Sequence, residues 1–150
     1  MGLPIGRLIC ASNRNNVLSD FISTGVYDRN RDFYATTSPS MDILISSNLE
    51  RLLYHLSDED DALVARLMGQ LAQQGRYQVP DALLGRLKSL FWGGFCDDER
   101  AADTIRTIFN KYFYLPDTHT AVALAVYQDY VAATGDKTKT ILASTANPYK

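Results

Sequence analysis

Three polar stretches hold the residue types on which a chemical site could be built. ASNRNN at 11–16 contains Asn13 and Asn15. Their amides can donate to a ligand, or they can serve as turn residues and a helix cap. PDTHTA at 116–121 places His119 and Thr120 in the first turn of a helix. Asp117 or Thr118 is accounted for as the cap, but a helix N-terminus is also an anion site, which leaves His119 and Thr120 open. LASTANPYK at 142–150 sets Ser144 and Thr145 just past an apolar run. A fourth stretch, SPSMDILISSNLERLL at 38–53, raises a question. Met41, Leu44, Ile45, Leu49, Leu52 and Leu53 form one helical face, yet Asn48 lies on that stripe. No local spacing pairs Ser, His and Asp or Cys and His, and neither a dinucleotide fingerprint nor a P-loop is present. Asp97 and Asp98 read as charges that complement a helix start.

The elements that must position these residues follow from periodicity. Leu8–Ala11 is a short apolar run bounded by Gly6 and Ser12, as in a strand buried on both faces. In open α/β sheets ligands sit at the carboxyl ends of such strands, which is where Asn13 and Asn15 fall. A helix is expected over 16–24, ended by Gly25, then loop with at most one short strand over 26–37. The spacing predicts one helix over 38–56. Ser57 and Asp60 resemble a capping box for a helix reaching Gly75. Further helices are expected from Asp81 to Trp92, stopped by Gly93–Gly94, and from Asp97, with Ile105, Ile108, Phe109 and Tyr112 inward. A last helix runs over 118–134 to Gly135, and 139–145 reads as a second buried strand. Two strands buried on both faces need neighbours on their edges. The chain is therefore expected to be a piece of a larger α/β protein.

Composition narrows the classes. The 150 residues are 46% hydrophobic and 21% charged, enough for a packed core. A net charge of −2 gives no basic field against nucleic-acid phosphates. No apolar run is long enough to span a membrane, and the start is too short and too soon polar for a signal peptide. Cys10 and Cys96 form no metal-binding pair, and two histidines cannot complete a zinc set. The cysteines read as reduced, buried thiols in a cytosolic protein.

Taken together, ICASNRNNVL, TTSPSMDILISSNLERLL, LPDTHTAVALAVYQDY and STANPYK resemble threonine synthase, in that family's order and near its spacing. Thr118 departs from the family's usual proline but keeps a helix start. The resemblance implies an α/β fold: a partial pyridoxal-phosphate fold-type-II domain, two parallel strands with a predominantly helical middle. Residues 1–150 would be part of the cofactor-binding domain, with a helical excursion at about 57–115. It implies the conversion of O-phospho-L-homoserine and water to L-threonine and phosphate in threonine biosynthesis, with pyridoxal 5'-phosphate on a lysine. Lys88, Lys111, Lys137, Lys139 and Lys150 match no such lysine motif, and no loop has the glycine density of the family's phosphate loop. Both are expected in the remainder of the enzyme, and the isolated segment is expected to be inactive.

The resemblance also assigns residues. Thr145, with Ser144 beside it, would meet the cofactor's pyridine nitrogen as a neutral hydroxyl. Asn13, Ser40, Asn48 and His119 would border the substrate. Asn48 alternatively bonds a buried backbone group, because an unpaired buried amide costs about 1–3 kcal/mol. Two other readings stay open: a non-catalytic helical interaction domain, and a fragment of a related pyridoxal-phosphate lyase such as threonine dehydratase. No nucleic acid or membrane partner is expected.

Overall fold

The structure, a computed structural model, describes residues 4–149. Strand β1 (Leu8–Ser12) leads to helix α1 (Val17–Thr24) and a short strand β2 (Val26–Asp28). A single 3-10 turn at Pro39–Met41 precedes α2 (Asn48–Leu56), α3 (Asp61–Gln74), β3 (Arg76–Gln78) and α4 (Asp81–Leu90). Then come β4 (Phe91–Phe95), α5 (Asp98–Tyr112) and α6 (Thr118–Thr134). The chain is α/β, largely helical, with β1 and β4 as a parallel pair and β2 and β3 as an antiparallel one.

The parallel pair is the centre of the fold. Leu8 aligns with Phe91 and Ser12 with Phe95. Both faces are covered at very close range. A Cβ on Gly93 would lie 3.1 Å from the Ser19 backbone in α1, and one on Gly94 would lie 2.8 Å from Val126 in α6. The two glycines therefore belong to the strand, where two helices approach the backbone from opposite sides. They do not end a helix at Trp92, as the sequence suggested. One apolar core gathers Val17, Phe21, Tyr27, Leu53, Leu67 and Leu87. The other gathers Cys96, Ala101, Ala121, Val122, Ala125 and Val126.

Three further expectations change. The predicted helix over 38–56 is only α2 preceded by irregular chain. The reason is tertiary: the Tyr27 hydroxyl donates to the Leu44 carbonyl at 3.1 Å and accepts from the Ser46 N–H at 2.9 Å, taking groups a helix would use. Asn48 consequently opens α2 on the exposed side and does not point to a core. Ser57 closes α2, and Asp60 alone caps α3 by accepting from the Leu63 N–H at 2.8 Å. In α5, Phe109 and Tyr112 are exposed, and the buried positions are Ala101 and Thr104.

The second expected strand does not form. Residues 139–145 join no sheet, and Ile141 is 91% exposed. The cause lies at the free edge of β1. The Cys96 N–H bonds the Ser12 carbonyl at 3.0 Å. A parallel ladder in that phase directs Leu8, Cys10 and Ser12 toward β4 and turns the backbone groups of Ile9 and Ala11 to the opposite edge. A cavity of about 620 Å³ separates that edge from the 136–145 segment, and α6 forms its floor. Across that gap the free edge of β1 and the 136–145 segment do not pair. Helix ends agree with the sequence: Gly25, Gly75 and Gly135 all take the left-handed conformation after α1, α3 and α6.

Candidate functional site

Two carboxylates organise the carboxyl end of the parallel pair. The first is Asp42, in the loop after the 3-10 turn. Its Oδ1 accepts from Asn13 Nδ2 at 2.7 Å, Asn15 Nδ2 at 3.0 Å and Thr36 Oγ1 at 2.7 Å. Its Oδ2 accepts from the Thr36 N–H at 3.0 Å. Burial alone would raise this carboxyl, but the bonds from Thr36, Asn13 and Asn15 outweigh it and hold it below its usual range. Asn13 and Asn15 are themselves buried. Asn15 pins Tyr34 through both ends of its amide, donating to the carbonyl at 2.8 Å and accepting from the N–H at 2.9 Å. Asn13 Oδ1 accepts from the Asn15 N–H at 3.0 Å, so its amide is committed at both ends. The effect is a clamp that fixes residues 34–42 over the end of β1. Asp98, at the start of α5, holds the same loop by accepting from the Thr37 hydroxyl at 2.9 Å.

The second carboxylate is Asp117, 4% exposed, at the N-terminus of α6. Its Oδ1 accepts from the His119 N–H at 2.9 Å, the Thr120 N–H at 3.2 Å and His119 Nδ1 at 3.0 Å. Its Oδ2 accepts from the Thr120 hydroxyl. Burial would raise this carboxyl too, but hydrogen bonds from Thr120 and His119 hold it below its usual range. The far nitrogen of His119, Nε2, accepts from the Ser40 N–H at 3.2 Å. The imidazole therefore carries its proton on Nδ1. Beyond Thr120, the Ser144 hydroxyl lies 2.9 Å from Thr120 Oγ1.

The site residues expected from the sequence are thus partly brought together. Ser40, His119 and Ser144 join through the Asp117 cluster. His119, Thr120 and Thr145 line the 620 Å³ cavity with Met41 and Tyr127. Asn13 belongs to the neighbouring Asp42 clamp, whose loop also carries Ser40. Asn48 stands apart, in contact with Arg51 at 3.3 Å on the exposed start of α2. The sequence reading missed Asp42 and Thr36 and took Asp117 for a cap only. No local signal marked Asp42, because a carboxylate in the first turn of the helix expected over 38–56 already complements the helix dipole.

No protein-family model matches the chain. It is 44% identical over 127 residues to human threonine synthase-like 1, covering 84% of this chain and 17% of that protein. To the threonine synthase of Saccharomyces cerevisiae it is 36% identical, covering all of this chain and 32% of that protein. The yeast enzyme's crystal structure superposes on 99% of the chain with a TM-score of 0.91. The crystal structure of pyridoxal-phosphate-bound threonine synthase from Brucella melitensis does so with a TM-score of 0.87, at 38% identity and covering 31% of that protein. The chain thus spans a third or less of the length of these relatives, and over that span it is a threonine synthase segment in both sequence and fold.

Proposed function

We propose that the complete protein containing this segment is a pyridoxal-phosphate-dependent threonine synthase. In that reading it converts O-phospho-L-homoserine and water to L-threonine and phosphate, as a cytoplasmic enzyme of threonine biosynthesis. Residues 1–150 are then part of the cofactor-binding domain, and the expected excursion at about 57–115 returns to its sheet through β4. The observation that carries the reading is the superposition on the yeast enzyme over 99% of the chain.

The residues at the cavity fit one edge of the cofactor. A pyridine nitrogen needs a neutral partner if it is to stay largely unprotonated, and Thr145 offers a hydroxyl at the cavity, with Ser144 next to it in the chain. Asp117, behind Thr120, is already committed to His119 and Thr120, and Asp136, which lines the cavity, accepts from Tyr130 and the Thr138 N–H. The phosphate and the covalent lysine are assigned to the remainder of the enzyme. When bound, the cofactor supplies the electron sink for proton abstraction and phosphate loss. This segment's own work is positional. Thr145 donates to the ring nitrogen, with Ser144 beside it. Asn13 holds the 34–42 loop, and Ser40 and His119 form the substrate-facing wall. Asn48, which stands apart from Ser40 and His119, contributes least.

The test is phosphate release from O-phospho-L-homoserine. The full-length protein with pyridoxal phosphate is expected to release phosphate, and residues 1–150 alone are expected to release none above blank. A full-length protein that leaves this substrate intact, or an active 150-residue chain, overturns the reading.

A further inference from the structure

We propose that Asp117 is a positioning residue that sets the direction of the hydroxyl chain Thr120–Ser144 and the tautomer of His119, and so orients the cofactor side and the substrate side of the site together. The proposal rests on the reading of Ser144 and Thr145 as the cofactor-facing pair. Capping explains only part of what Asp117 does. A cap needs one oxygen on the first-turn N–H groups, and Oδ1 provides that to His119 and Thr120. The remaining contacts run outward, to two side chains that face the same cavity.

The proton count gives the direction. Thr120 has one hydroxyl proton and two oxygen neighbours, Asp117 Oδ2 and Ser144 Oγ. A carboxylate only accepts, so the Thr120 proton goes to Asp117. The contact at 2.9 Å must then be made by the Ser144 proton, donated to Thr120. Ser144 is left with lone pairs alone to present beside Thr145. It cannot also donate to an unprotonated ring nitrogen, so that role falls to Thr145. The same carboxylate places the His119 proton on Nδ1, which leaves Nε2 as the acceptor that holds the Ser40 N–H. One buried charge therefore decides which hydroxyl is the donor and where the Ser40 loop stands.

Asp117→Asn separates this role from capping, because Asn caps a helix as well as Asp does. Its amide nitrogen donates where Oδ2 accepted. Thr120 then accepts from it and turns its proton to Ser144, whose own proton is released from Thr120. In the full-length holoenzyme, Asp117→Asn is expected to shift the cofactor absorbance and raise KM for O-phospho-L-homoserine about tenfold, with Tm little changed. Thr120→Val is expected to move the absorbance more than KM. His119→Ala is expected to do the reverse, and His119→Gln, which keeps an acceptor for Ser40, to recover most of the loss. Independent of turnover, nitrogen NMR of the full-length protein is expected to show the Nδ1-protonated form of His119, kept in Asp117→Asn, whose Oδ1 still accepts from Nδ1, and lost in Asp117→Ala. Unchanged absorbance and KM in Asp117→Asn, or a fall in Tm with both unmoved, reduces Asp117 to a cap and overturns the proposal. A His119 tautomer that is unchanged in Asp117→Ala, which removes both oxygens, also overturns it. A wild-type enzyme that releases no phosphate overturns the functional reading instead, and the tautomer result still decides the role of Asp117.

Discussion

The Asp42 clamp and the Asp117 cluster lie at the same end of the sheet and are built from the same chemistry, a carboxylate surrounded by amide and hydroxyl donors. They differ in where their bonds lead. Every partner of Asp42 is a side chain or N–H of the clamp itself, and Asn13 and Asn15 are buried with their amides turned inward. The bonds of Asp117 lead through Thr120 and His119 to Ser144 and Ser40, both exposed. A closed cluster holds backbone, whereas a cluster with outward arms transmits orientation. The same residue types at one sheet end thus divide into a structural unit and a site unit.

The largest effect expected from breaking this contrast is on stability, at Asp42. Asp42→Ala leaves the Thr36 N–H without its acceptor and takes one acceptor each from the amides of Asn13 and Asn15, at a cost of about 3 kcal/mol. Tm of the full-length protein is expected to fall by several degrees, a larger drop than Asp117→Asn produces. The clamp is also pH-dependent with a fixed sign. The folded carboxyl lies below its ordinary range. Its stabilisation is therefore present above the unfolded carboxylate value of about 3.9 and is lost as pH falls through the folded one. Wild type is expected to lose Tm on acidification more steeply than Asp42→Ala. Parallel acid profiles for the two would show that Asp42 is not what holds the loop.

A smaller effect, on catalysis, is expected at the end of the Asp117 cluster. Thr145→Val keeps shape and removes one donor. Losing a hydrogen bond worth about 1 kcal/mol corresponds to roughly fivefold in turnover, together with a shift in cofactor absorbance. Ser144→Ala, which removes a hydroxyl whose proton is engaged with Thr120, is expected to shift the spectrum less. If Thr145→Val leaves spectrum and turnover unchanged while Ser144→Ala alters both, the donor has been assigned to the wrong hydroxyl and the two clusters are less distinct than they look.

How much of this was legible in the sequence depended on whether the deciding force was local. Gly25, Gly75 and Gly135 ended their helices because the left-handed C-cap is a local demand. Residues 118–134 likewise formed the helix their cap and period required. FWGGF at 91–95 was misread because its glycines answer to α1 and α6 on opposite faces, contacts that no local pattern records. KTILAST was misread for the converse reason. Its composition suits a strand, but a strand exists only with a partner, and the cavity beside β1 keeps the two edges apart. At the site, Asn13, His119 and Ser144 were legible as polar residues without a local task. Asp42 was not, because its four bonds span up to 29 residues of chain. Asp117 was hidden by having a sufficient local explanation as a cap.

The smallest effect is expected at Asn48, and it tests how far the substrate side extends beyond the two clusters. Asn48 touches neither carboxylate, is exposed, and contacts Arg51 one helical turn on. Such an exposed pair is worth only about 0.2–0.5 kcal/mol, so Asn48→Ala should raise KM by about twofold at most. Alanine alone discriminates poorly at that size, but aspartate does better because its two consequences have opposite signs. A carboxylate in the first turn of α2 favours the helix dipole by about 0.3–1 kcal/mol and should raise Tm slightly. If Asn48 borders a substrate that carries a phosphate, the same charge repels it, and KM should rise further than in Asn48→Ala. A gain in Tm with an unchanged KM would confine Asn48 to the helix start and leave Ser40 and His119 as the outer limit of the substrate wall.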